Sequence, residues 1–249
     1  GMANVMKARQ VSLGRVVAIK EIKPGFAANP ELLERFKREA RIAAGLVHEN
    51  IVQVYNFGEP KKGSLFIVME FVEGWDLKTL LARHGPPPPV LAAFIAREVA
   101  RALAYAHERG LIHRDVKPGN IMLSKRGEVK LMDFGLAKGV DRRLTGANVV
   151  MGTPSYMPPE QVRGEEVDHR ADLYALGLVL HELLTGKTVF TGGDVLQRQV
   201  SETPPPPSQA SPDVPPLLDQ VVMKCIAKKR EERFASAREL AAQLRQIKG

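Results

Sequence analysis

The chain changes its hydrophobic periodicity once, near residue 72, and that change constrains the fold more than any other feature. Before it, β-branched and aromatic residues gather in short runs, the mark of strands. Arg15–Ile22 is such a run, after the turn-like Ser12-Leu13-Gly14; Ile51–Phe57 and Ser64–Phe71 are two more, joined by Pro60-Lys61-Lys62-Gly63. One helix interrupts them, from about Pro30, at a first-turn position where proline is tolerated, to a stop at Gly45. After Gly74 the spacing turns helical. Asp76–His84 is short, and Pro86–Pro89 cannot continue it. In Val90–Arg109 the residues Leu91, Ile95, Val99, Ala102, Leu103 and Ala106 fall on one face of a 3.6-residue repeat. Short strands are expected at Ile121–Leu123 and Val129–Met132, followed by a long loop from Asp133 to Glu160. A buried helix follows at Asp172–Leu184, a proline-rich connector at Pro204–Pro216, and closing helices at Leu217–Ala227 and Ser236–Ile247. A chain divided in this way reads as α+β: a small strand-rich lobe over 1–72 and a larger helical lobe over 73–249, hinged at Glu70–Gly74.

Composition removes several classes. Of the 249 residues, 44% are hydrophobic and 26% charged, which excludes disorder along most of the chain. A single cysteine, Cys225, rules out an internal disulfide framework and points to a reducing compartment, the cytoplasm. No run of about 18 apolar residues occurs, so no membrane segment is expected within it. The net charge of +8 attracts anions, but the basic residues are dispersed, and a nucleic-acid-binding role ranks last.

The chemistry concentrates in His113-Arg114-Asp115-Val116-Lys117-Pro118-Gly119-Asn120, with Asp133-Phe134-Gly135 beginning 13 residues after Asn120. Upstream stand Val17-Ala18-Ile19-Lys20 and Glu39; downstream, Gly152-Thr153-Pro154-Ser155-Tyr156-Met157-Pro158-Pro159-Glu160. Each piece alone is commonplace, a turn or a strand. Their order and spacing together resemble the protein kinases, and most of all the bacterial eukaryotic-like Ser/Thr protein kinases.

That resemblance implies a two-lobed kinase fold, ATP-dependent transfer of phosphate to Ser or Thr of protein substrates, and magnesium, or manganese in its place, as the metal. It casts Lys20 as the ligand of the α- and β-phosphates, held by Glu39. It makes Asp133 and Asn120 the metal ligands and Asp115 the acceptor of the substrate hydroxyl's proton. Lys117 would neutralise the transferring phosphoryl group, and Thr153 would shape the floor beside Asp115. The adenine pocket would be walled by Val5, Ala18 and Met122 and backed by Met69, with backbone groups of Glu70 and Val72 on the base. Asp76 would reach the ribose or, equally well, cap its own helix.

Structural roles are expected for His113 (packed and hydrogen-bonded), Phe134 (beneath the helix carrying Glu39), Asp172 (accepting from the 113–115 backbone) and a buried Glu160–Arg233 pair. Thr145, the only Ser or Thr between Asp133 and Gly152, is the expected phosphosite. Its phosphate would pair with Arg114, Lys138 and Arg35 after phosphorylation by a second copy, which implies self-association.

Departures from the family pattern are also present. If Val5 closes the glycine-rich loop over the phosphates, two of the loop's glycines would precede Gly1, and Ala3 holds the place of the third. The family's first strand would be missing as well, as in a clipped fragment, with weaker ATP binding and an open sheet edge as expected consequences. Pro158 replaces a usual alanine. A nucleotide-binding pseudokinase scaffold is the alternative function that this loop suggests. A small-molecule phosphotransferase is disfavoured by the presence of the Gly152–Glu160 segment.

Overall fold

A computed structural model of the chain describes residues 3–22, 37, 40–61, 64–134 and 154–247. The small lobe is an antiparallel sheet in the order β1-β2-β4-β3, formed by β1 (Ala3–Gln10), β2 (Arg15–Ile22), β3 (Val54–Lys61) and β4 (Ser64–Glu70). Gly14 closes the turn between β1 and β2 at φ 65°, the left-handed region that glycine enters without strain. In the β1–β2 ladder Val5 lies opposite Lys20, and in the β2–β4 ladder Ala18 lies opposite Met69. Because side chains alternate along a strand, Val5, Ala18, Lys20 and Met69 share one face of the sheet. Residues 40–44 are helical, and Ala40 and Ala43 pack there with Val54, Leu65 and Ile67.

A second sheet, β5 (Gly74–Asp76), β6 (Ile121–Ser124) and β7 (Val129–Leu131), lies between the small lobe and the helices. Its tie to the small lobe is main-chain: Val52 N–H donates to the Leu131 carbonyl (2.9 Å) and Leu131 N–H to the Asn50 carbonyl (2.8 Å). The buried Asn50 amide adds a bond to the Val129 carbonyl at 3.0 Å.

The large lobe is built on α1 (Leu77–His84), α2 (Pro89–His107), α3 (Pro159–Arg163), α4 (Arg170–Thr185), α5 (Val195–Ser201), α6 (Pro216–Cys225) and α7 (Ala237–Leu244). The inner face of α2 carries Ala92, Ala93, Ala96, Ala100, Ala102 and Ala106, all buried, so that helices approach closely. Helix α4 is covered almost all round, as its apolar sequence implied. Gly177 in α4 lets α6 come near: a Cβ there would lie 2.5 Å from the Cys225 Cβ. Ser236 caps α7 by accepting from Glu239 N–H (3.1 Å), while the Glu239 carboxylate accepts from Ala235 N–H (2.8 Å). Among the described residues no helix is long and apolar enough to cross a membrane.

Several elements depart from the sequence-based expectation. The strand expected from Ile51 begins at Val54, and Ile51 forms only an isolated bridge to Leu131. Pro89 is not outside a helix but the first residue of α2, where its missing N–H is no loss. Strand β5 and helices α3 and α5 were not expected; each is too short to show a period.

Candidate active site

The segment 113–120 is held from below by one carboxylate. Asp172, in the first turn of α4, accepts from the N–H groups of His113 and Arg114, both at 2.8 Å, and from His107 Nε2 at 2.8 Å. These bonds hold Arg114 at φ 63°, a conformation that a non-glycine residue rarely keeps without support. His113 is fully buried; its Nε2 meets the Met132 carbonyl at 2.9 Å and its Nδ1 accepts from Asp115 N–H at 3.2 Å. Burial pushes its pKa below the ordinary histidine value, which suits the neutral ring that this bonding pattern requires. Its ring also packs on Phe134, centroids 4.6 Å apart.

Above this base the polar side chains converge. Lys117 Nζ lies 2.7 Å from Asp115 Oδ2, and Asn120 Nδ2 donates to the Asp115 carbonyl (2.8 Å) and to Oδ2 (3.1 Å). The β6–β7 hairpin then returns the chain: Met132 N–H donates to the Asn120 carbonyl at 2.9 Å, which brings Asp133 beside Asn120. Asp133 sits at φ 61° and accepts from Lys20 Nζ at 2.7 Å, an ion pair between the small lobe and the loop that follows β7. A small apolar pocket lies behind this pair, lined by Ala43, Ile51, Val52, Val54, Ile67, Met69 and Phe134. A second small pocket borders Asp115 and is walled by Arg114, Val116, Tyr156, Met157 and Pro158.

The whole constellation coincides with a known domain family, whose model, described as protein kinase domain, matches residues 1–244. The chain belongs to the protein kinase domain family. This kinase domain is similar to the serine/threonine-protein kinase PknB of Mycolicibacterium smegmatis, 44% identical over 98% of this chain and 40% of that protein. It is 40% identical to the serine/threonine-protein kinase pkn3 of Myxococcus xanthus over 99% of this chain and 48% of that protein. The chain thus spans less than half the length of these curated relatives. Among solved structures it resembles the Mycobacterium tuberculosis PknI kinase domain, with a TM-score of 0.81 and 34% identity, over 99% of this chain and 91% of that one.

Most of the expected site residues fall in one region of the kinase domain. Val5, Ala18, Lys20 and Met69 share the sheet face noted above, and Met122 is in β6, opposite Asp76 of β5. Glu70 N–H is committed to the Gln53 carbonyl (2.8 Å) and its carboxylate to Lys130 (2.7 Å); Val72 lies just past the end of β4, half-buried. Of the two readings of Asp76, the cap is present: its oxygens accept from Thr79 N–H and Thr79 Oγ1, both at 2.9 Å. Phe134 borders the same pocket as Ala43 of the 40–44 helical turn. Glu160 and Arg233 form a bidentate pair at 2.7 and 2.8 Å, almost wholly buried. Arg233 also donates to the carbonyls of Ala227, Lys228 and Arg170. The pair ties the turn before α7 to α3 at the end of the 154–160 segment.

Arg35, Glu39, Lys138, Thr145 and Thr153 lie outside the described residues, as does Gly135. Inspection of the sequence missed His107, whose Nε2 shares Asp172 with the loop and whose buried Nδ1 has no partner among the described residues. It also missed Gln199, which is fully buried and bonds the carbonyls of Pro154 (3.1 Å) and Ser155 (2.7 Å). Neither residue belongs to a motif; His107 sits six positions before His113, where no local rule marks it.

Proposed function

We propose that this domain transfers the γ-phosphoryl group of ATP to Ser or Thr hydroxyls of proteins, with the lobe boundary at 72/73. The observation that carries the reading is the convergence of Lys117 (2.7 Å) and Asn120 (3.1 Å) on one carboxylate oxygen of Asp115, with Lys20 paired to Asp133. In this reading the substrate hydroxyl lies against Asp115. Its oxygen attacks the γ-phosphorus, the bond to the β–γ bridging oxygen breaks, ADP leaves and the hydroxyl proton passes to Asp115. Lys117 holds Asp115 in place and offers its ammonium to the transferring oxygens. Lys20 exchanges its ion pair with Asp133 for the α- and β-phosphates as ATP enters. Val5, Ala18, Met122 and Met69 enclose the base, Glu70 and Val72 meet its edge through their main chain, and Asp76 serves as helix cap.

The donor set fits magnesium. Asn120 spends its amide nitrogen on Asp115, so its carbonyl oxygen is left for a cation, and Asp133 keeps the oxygen that Lys20 does not take. Among the described residues no cluster of three or more acidic, His or Cys side chains suits a metal by itself, which accords with a cation that shares its shell with substrate phosphates. When bound, magnesium, or manganese in its place, supplies positive charge to the triphosphate. Lys20, Asp115, Lys117, Asn120 and Asp133 are all present, which supports transfer over the nucleotide-binding scaffold that the incomplete glycine-rich loop suggests.

We also infer that Thr145 is phosphorylated by a second copy and that its phosphate docks on the exposed Arg114 together with Lys138 and Arg35. We infer a cytoplasmic location for the domain, a reading supported by its proposed use of ATP.

Radiolabelled phosphate transfer to acceptor protein tests the reading. Asp115→Asn should lower the rate by about 10²–10⁴-fold. Equal rates in parent and variant would remove Asp115 from the chemistry. Mass spectrometry of the same reaction should find phosphate on Thr145; an unmodified Thr145 in an enzyme that labels other proteins would reject that site.

A further inference from the structure

The small pocket beside Asp115 has one wall made by Tyr156, Met157 and Pro158. The chain enters that wall through the 3-10 turn Pro154–Tyr156, and the turn is held from two sides. On one side the Tyr156 hydroxyl donates to Glu182 of α4. On the other, Gln199 of α5 donates both amide protons, to the carbonyls of Pro154 (3.1 Å) and Ser155 (2.7 Å). An amide that gives both protons away must present its oxygen to a donor. That donor is the Tyr174 hydroxyl, 2.6 Å from Gln199 Oε1. Burial raises the Tyr174 pKa, so its proton stays available. Having given its proton, the Tyr174 oxygen needs a donor in turn. Lys228 Nζ supplies it at 3.1 Å and also bonds the Gln199 carbonyl at 3.0 Å. Every bond runs in one direction, from the ammonium to the turn.

We propose that Lys228, Tyr174 and Gln199 form a donor relay that sets the position of the 154–156 turn and thereby the grip on the acceptor protein beside Asp115. They are positioning residues for the acceptor, not for ATP. The inference rests on the kinase reading above and adds to it a control on acceptor binding that sits outside the motif residues.

The relay has a polarity that a proton can reverse. Lys228 is half-buried against the rings of Phe190 (4.8 Å) and Tyr174 (5.5 Å). Desolvation lowers its pKa to about 8; Glu202, just past the end of α5, opposes the shift, while Arg233 and Arg163 of α3 add to it. Tyr174 is the titratable group that faces it from α4. The Arg233 charge is matched by Glu160. Above that pH the neutral amine has a lone pair. The Tyr174 O–H can then turn toward it, and Gln199 Oε1 loses the donor that fixes its amide.

The test is steady-state kinetics with a peptide selected by the wild-type chain from a Ser/Thr peptide library. Lys228→Met and Tyr174→Phe should each raise the peptide KM roughly three- to tenfold, the size of one displaced hydrogen bond. The KM for ATP and the kcat at saturating peptide should stay unchanged. Tyr174→Phe keeps the packing and guards against a folding artefact. Wild-type peptide KM should climb between pH 7 and 9, whereas Lys228→Arg, which stays charged, should remain flat over that range. An unchanged peptide KM in both variants, a parallel rise in the ATP KM, or a flat wild-type profile overturns the relay while leaving the kinase reading intact. A parent chain that transfers no phosphate to any library peptide overturns that reading and the relay with it.

Discussion

The two lobes contribute to one site but are stabilised differently. Among the described residues the small lobe's buried cluster is brief: Ala40, Ala43, Val54, Leu65 and Ile67. Among them too, strand β1 pairs on one side only, with Val5 59% and Met6 46% exposed and Val11 in the following turn 89% exposed. The large lobe has a continuous core around α4 and α2, and inside it an ion pair, Glu160–Arg233, screened from solvent. The functional groups follow this division. Lys20 is the small lobe's contribution, on strand β2 inside the sheet, whereas Asn120 is hydrogen-bonded to Asp115 and the main chain of His113 and Arg114 just before it is held by Asp172. The Lys20–Asp133 pair joins the two lobes through side chains alone. The 113–120 loop, by contrast, is held by several bonds at once.

The contrast can be broken most severely at Arg233. Arg233→Met leaves Glu160 charged and buried and removes donors from three carbonyls. The expected loss is about 3–5 kcal/mol in urea unfolding. A loss below about 1 kcal/mol would mean that the large lobe does not depend on this lock. Next comes Gly177→Ala, which forces a methyl group against Cys225 and Ile226 where a Cβ has 2.5 and 2.8 Å of room. It should cost about 1–3 kcal/mol, with a visible drop in Tm. A neutral result would show that α4 and α6 can separate without penalty. The smallest effect is expected at the other pole: Val11→Ser, on the 89% exposed turn after β1, should change stability by less than about 0.5 kcal/mol. A larger loss there would show that the β1 edge is not solvent-facing and would erase the difference between the lobes.

Local patterns foretold some elements and not others. The 3.6-residue spacing of Ile95, Val99, Ala102, Leu103 and Ala106 marks α2, because these residues form its buried face; Leu91, expected on that face, lies in the first turn and is 39% exposed. Strands β2 and β4 were legible from their β-branched runs. Helix α5, seven residues long, offered too little sequence for any period to show, and with it Gln199 went unnoticed. At the site, the tight cluster 113–120 announced itself because its members act within one loop. His107 did not: it matters only because α2 ends against Asp172, 65 positions away in the chain.

What this protein's sequence determined by itself is local: which segments form strands or helices, and which loop carries Asp115, Lys117 and Asn120 at fixed spacing. Hydrophobic periodicity and short-range motifs are properties of neighbouring residues, so they can be read without a fold. Tertiary structure alone decided the polar pairings of Lys20 with Asp133 and of Lys228 through Tyr174 to Gln199. A buried hydrogen bond is worth most when water is excluded on all sides, and only the packed lobes create that exclusion.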